Sequence, residues 1–110
     1  MAFSGMAWLV EVFVQGRGWT PLRQVFGHSG VVASFDEALS LGCMVVLKSV
    51  EKASRAVGAS AGDVVGFRVM EVSEEPEPLP PMAVKWDDVR HRFFRRGSAY
   101  LLYKSWSWPD

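Results

Sequence analysis

The 110-residue sequence predicts an α+β fold, a small antiparallel sheet with a β-β-α-β core packed on one long helix, plus a C-terminal helix and strand. Three observations predict it. Ala7–Val14 and Asp63–Val72 alternate side chains at the period of two that a strand requires. Between them, Ser34-Phe35-Asp36-Glu37 heads an apolar stripe with helical spacing. After them, three glutamates and four prolines in the nine residues from Ser73 to Pro81 break the chain before a segment of different composition.

In Ala7–Val14, Trp8, Val10, Val12 and Val14 share one side, and Leu9, Glu11 and Phe13 the other. Gly16-Arg17-Gly18 supplies a tight connection, so Trp19 to Phe26 is expected to return antiparallel. Pro21 lacks a backbone donor and places that return strand at a sheet edge. Gly27-His28-Ser29-Gly30 has turn chemistry and is expected to end the sheet excursion.

The helix is predicted over residues 34–57. In a capping box the Ser34 hydroxyl accepts from the Glu37 amide, and the Glu37 carboxylate reaches back to the Ser34 amide. Phe35, Leu39, Val46, Val50, Ala53 and Val57 form its buried stripe, and Gly58 is placed to stop it. Gly42 and the β-branched pair Val45-Val46 argue against so long a helix. The competing reading ends it at Leu41 and makes Cys43 to Val50 a strand. After the small-residue loop Gly58 to Gly62, Asp63–Val72 is the best-patterned strand in the chain. Ser73–Pro81 should run as a stiff extended connector. Beyond it, Asp87 or Asp88 is expected to cap a helix reaching Arg96, with Trp86, Val89 and Phe93 on one face and Gly97 as its stop. Ser98 to Trp108 is expected to form the last strand.

The length suits one domain spanning residues 1–110. A net charge of zero conceals a division, because residues 1–75 hold six basic and eight acidic groups, whereas Lys85 to Lys104 hold six basic groups against Asp87 and Asp88. That local excess suits an acidic protein patch or a few phosphates better than duplex binding by a chain basic throughout. A single cysteine, Cys43, excludes an internal disulfide and is consistent with a reducing cytoplasmic location. The apolar start lacks the basic residues of a secretion signal, and the apolar run from Leu39 to Leu47 is too short to cross a membrane.

Candidate chemistry is sparse. His28, His91 and Cys43 lack any spacing that specifies zinc, and Cys43 lies in an apolar run as a small core residue does. The glycine loop at 58–62 leaves a helix and enters a strand, the reverse of a phosphate-binding loop. Asp36, Glu37, Asp87 and Asp88 are accounted for by helix starts. The expectation is therefore no catalytic residue, no metal and no cofactor.

The informative segment is Lys85 to Asp110, with three of the five tryptophans. Phe93, Tyr100, Leu102 and Trp86 fit a core, whereas Arg90, Arg92, Arg95, Arg96, Trp106 and Trp108 are hard to explain by packing. They are the candidate partner-binding residues, with Arg17 at the hairpin tip as a further one.

The succession of a strand, Gly16-Arg17-Gly18-Trp19, Ser34-Phe35-Asp36-Glu37-Ala38-Leu39 and Phe67-Arg68-Val69-Met70-Glu71-Val72 resembles small accessory proteins encoded by bacteriophages and prophages, over roughly residues 8–72. The resemblance implies a non-enzymatic binder that blocks or redirects a host machine in the host cytoplasm, anti-CRISPR proteins being one such group. The C-terminal segment has no counterpart in it. The leading expectation is a protein-binding module, an inhibitor or adaptor from a mobile element acting on a host protein complex. The alternative is a nucleic-acid-binding module that uses the arginines for phosphates and the aromatic rings for base stacking.

Overall fold

The computed structural model describes residues 5–55 and 64–103. It is an α+β fold with one six-stranded sheet in which every pairing is antiparallel. The strands are β1 (Ala7–Val14), β2 (Gly18–Pro21), β3 (Val31–Val32), β4 (Val64–Val72), β5 (Phe93–Arg96) and β6 (Ala99–Leu102). They lie in the order β2-β1-β4-β6-β5, with β3 also pairing β1. The helices are α1 (Arg23–Phe26), the long α2 (Phe35–Arg55) and α3 (Trp86–Val89).

The alternation in β1 places Val10, Val12 and Val14 beneath α2, where they join Phe67 and Val69 of β4 in one buried cluster with Leu39, Leu41, Met44, Val45 and Val46. The register agrees, because Val10 faces Val69 and Val12 faces Phe67 across the β1–β4 pair. The second face carries Leu9, Glu11 and Phe13. There both Nε and Nη2 of Arg68 donate to Oε1 of Glu11, the first at 2.9 Å. The same guanidinium lies 4.6 Å from the centre of the Trp19 ring, which meets Phe13 edge-on at 5.2 Å. Arg68 and Trp19 are thereby committed to the sheet itself.

The continuous-helix reading holds across Cys43 to Val50, and Gly42 is present for packing. A β-carbon at Gly42 would sit 2.2 Å from the Phe67 ring, so only hydrogen lets α2 approach β4 this closely. Helix propensity is a weak local preference, and burial of Cys43, Met44, Val45 and Val46 outweighs it. The buried surface of α2 is broader than the predicted stripe: Ala38, Leu41 and Cys43 are buried too, while Phe35 is 37% exposed with its ring edge-on to Trp8 at 5.1 Å. Residues 56–58 and Asp63 lie outside the described residues, as does the loop between them.

Four local expectations are corrected. The return strand from Trp19 ends at Pro21, because Leu22 starts a helical turn in which its carbonyl accepts from Val25 and Phe26. Gly27–Gly30 does not end the sheet, since Val31 and Val32 come back to pair with Leu9 and Trp8. Gly30 permits this return: its φ is +87°, and a β-carbon there would lie 2.6 Å from the Val10 carbonyl oxygen. The capping box is half formed, with the Glu37 amide donating to Ser34 Oγ at 3.1 Å while the Glu37 carboxylate accepts from Ala33 rather than from Ser34. Finally, the helix expected to reach Arg96 stops at Val89. A 3₁₀ turn over Arg90–Arg92 follows, and Phe93–Arg96 is a strand. Lys85 occupies the cap of α3, and neither Asp87 nor Asp88 caps it.

Replacing Ser34 with alanine is expected to lower stability by about 1 kcal/mol, since the Glu37 amide loses its acceptor at the head of α2. Urea melts of the parent and Ser34→Ala measure this as a shift in midpoint at constant slope. An unchanged midpoint would show that the cap is without consequence.

Candidate partner-binding surface

Within the C-terminal segment, β5 and β6 form a hairpin whose two faces differ. Phe93 pairs with Leu102 and Arg95 with Tyr100, and Gly97 turns the chain between β5 and β6. Phe93 and Tyr100, 6% and 7% exposed, point into the core with Phe67 and the half-buried Trp86. Tyr100 stacks on Phe67 at 5.2 Å, and Trp86 approaches Tyr100 edge-on at 5.3 Å. The expected burial of Phe93, Tyr100 and Leu102 is therefore observed. On the opposite face Phe94 leans on Tyr103 with ring centres 5.0 Å apart, and Tyr103 is 59% exposed.

Arg90, Arg92, Arg95 and Arg96 are all exposed. Arg95 is partly occupied at home, with its Nε donating to the Gly97 carbonyl at 2.9 Å and its guanidinium 6.0 Å from the Tyr100 ring. Among the described residues the guanidinium groups of Arg90, Arg92 and Arg96 have neither ion pair nor hydrogen bond. Arg17 does not join them. It sits at the β1–β2 turn, donates to Gln24 Oε1 at 3.1 Å, and belongs to the opposite end of the strand order. Four strand spacings of about 4.8 Å place β2 roughly 19 Å from β5. Trp106 and Trp108 lie outside the described residues.

The two edges of the sheet are finished differently. On the β2/β3 side, Pro21 offers no amide and the connector docks along β3. The Glu77 amide donates to the Val31 carbonyl at 2.9 Å, and the Glu77 carboxylate accepts from the Ser29 amide at 2.9 Å. Ser29 holds the Glu77 carboxyl below the usual carboxylate range, and the Arg23 guanidinium adds to the effect. Buried His28 completes the junction: Nδ1 accepts from the Gly30 amide at 2.9 Å, so the proton sits on Nε2 and is donated to the Pro78 carbonyl at 3.1 Å. At the other edge, no element pairs with the outer side of β5 among the described residues.

The remaining groups are accounted for by structure. Cys43 is buried, its thiol donates to the Ser40 carbonyl at 3.2 Å, and burial pushes its pKa up to about 12, the reverse of nucleophile activation. Among the described residues no cluster of three histidine, cysteine or acidic side chains is placed to hold a metal ion. A cleft of about 310 Å³ between the head of α2 and α3 is lined by Asp36, Ser40, Lys85, Trp86 and Asp87. Its charges are mixed, and it is partly open to solvent. No helix among the described residues is long and apolar enough to cross a membrane.

The chain matches no protein family, no curated protein and no solved structure.

Two features, one on this surface and one at the opposite edge, were missed by sequence reasoning. The Phe94–Tyr103 pair becomes legible once Phe93–Arg96 is read as a strand, because alternation then separates Phe93 from Phe94. The junction of His28 and Glu77 joins residues nearly fifty positions apart and has no local signal.

Proposed function

We propose that this chain is a non-enzymatic protein-binding module, an inhibitor or adaptor, that presents its basic β5–β6 hairpin to an acidic surface of a partner protein. The observation that supports this most is the division of labour within the hairpin. Its core face is spent on Phe93, Tyr100 and Leu102, which leaves Arg90, Arg92 and Arg96 exposed and unpaired among the described residues. Solvated arginines add little to stability, so the fold does not account for them. Arginine beside an exposed tyrosine is also the composition favoured at protein interfaces. The resemblance to phage accessory proteins supports seeking that partner in a host protein complex such as a defence system.

The nucleic-acid reading has less in its favour. Arg68, beside the aromatic pair Phe13–Trp19, is held by Glu11, and Arg17 lies on the far edge. Three unpaired cations make few phosphate contacts.

Neutralising Arg90, Arg92 and Arg96 together with serine is expected to leave the melting temperature within about 2 °C of the parent, because these charges are solvated. Recovery of the partner in a pull-down from host lysate, and its affinity once purified, should fall at least tenfold. A triple variant that captures the same partner with equal affinity would exclude this surface. A logarithmic salt slope approaching the number of cations removed, together with captured nucleic acid, would instead favour the alternative.

A further inference from the structure

We infer that the partner engages β5 by strand addition, laying an extended acidic segment along the outer edge of Phe93–Arg96. The inference rests on the protein-binding reading above and specifies how that surface would be used.

The hydrogen-bond phase of the hairpin identifies which backbone groups face outward. The Tyr103 amide donates to the Arg92 carbonyl at 2.7 Å, so residues 92 and 103 form a hydrogen-bonded pair. Antiparallel ladders alternate, so the 94/101 and 96/99 pairs also bond inward, and the backbone groups of Phe93 and Arg95 turn away from β6. The Phe93 amide is already used by the Arg90 carbonyl. This leaves the Phe93 carbonyl and both the amide and the carbonyl of Arg95 directed at the open edge. One residue of an added strand can meet the Phe93 carbonyl with its amide and the Arg95 amide with its carbonyl. The opposite edge of the sheet is closed to such an addition by Pro21 and by the docked connector.

Charge selects the added strand. Arg96 lies on one face of β5 and Arg95 on the other, so any strand laid beside it meets cations on both faces. Pairing with β5 of a second copy would set arginines against arginines, which is unfavourable directly across strands and is a known means of protecting an edge. An extended segment with glutamate or aspartate at alternating positions sets its carboxylates on the Arg95 face of β5 and its intervening residues on the Phe94 face. Its apolar residues can lie beside Phe94 and Tyr103.

Two fluorescent decapeptides of equal charge test this, one alternating glutamate with valine and one alternating glutamate with proline, the latter unable to donate at every second amide. Fluorescence anisotropy at low salt should show the Glu–Val peptide binding at least tenfold tighter than the Glu–Pro peptide. Arg95→Thr keeps the outward amide and loses the charge, whereas Arg95→Pro loses both. Arg95→Pro should bind the Glu–Val peptide at least tenfold more weakly than Arg95→Thr. Because proline in a strand also perturbs the hairpin, amide exchange in the unmodified protein supplies a second readout, with the Arg95 amide slowing at least tenfold on peptide addition. Equal affinities for the two peptides and no slowing at Arg95 would overturn strand addition while leaving the basic protein-binding surface in place. Failure of both peptides to bind would also overturn it, and binding of oligothymidine in their stead would remove the protein-binding reading with it.

Discussion

Replacing Phe67 with alanine is expected to destabilise the protein by about 3–5 kcal/mol, the range for removing a large buried aromatic side chain. Phe67 is fully buried at the centre of the ring cluster. It stacks on Tyr100, meets Phe93 at 5.7 Å and Trp86 at 6.0 Å, and carries Gly42 of α2 on its face. No neighbour is placed to fill the space, because the three surrounding rings are rigid and fixed by separate elements. Loss of the ring therefore leaves a cavity and also loosens the attachment of the β5–β6 hairpin, so partner binding should weaken along with stability. Urea denaturation followed by tryptophan fluorescence measures the first effect. A loss below about 1 kcal/mol would mean that Phe67 is not the centre of this core.

Gly42→Ala should likewise destabilise the protein, by about 2 kcal/mol, although alanine is the better helix former by about 1 kcal/mol. The added carbon would meet three atoms of the Phe67 ring at 2.2, 2.4 and 2.6 Å, far inside contact distance. Either α2 lifts from the sheet or the ring leaves its stack on Tyr100. The assignment is tested most directly by combining substitutions. In a Phe67→Leu background the smaller side chain leaves room, so Gly42→Ala should cost much less there and its helix preference should begin to show. Equal penalties in the two backgrounds would show that the ring is not what requires glycine at this position.

These two residues mark the boundary of what could be read in advance. Phe67 was legible as a strand residue from its alternation with Val65 and Val69. Gly42 read locally as a helix breaker, because the reason for it lies twenty-five residues away in β4. The candidate surface divides the same way. Arg90, Arg92 and Arg96 stand out by composition and are exposed, whereas Arg17, singled out for its place at the hairpin tip, lies toward the far edge of the strand order.

By itself the sequence determined the α+β class, strands β1 and β4, the start of α2, the connector, and the split of the C-terminal segment into core aromatics and surplus arginines. Each depends on periodicity, capping or composition, which act over a few residues. The tertiary structure alone decided why α2 requires glycine at position 42, that β3 returns to β1, that Phe93–Arg96 is a strand, and that, among the described residues, β5 is the edge left open. These outcomes depend on which surfaces meet. Residues 90–96 carry arginines and phenylalanines that fit a helix or a strand equally well, and pairing with β6 against the Phe67 ring selects the strand because it buries Phe93 and satisfies the backbone together.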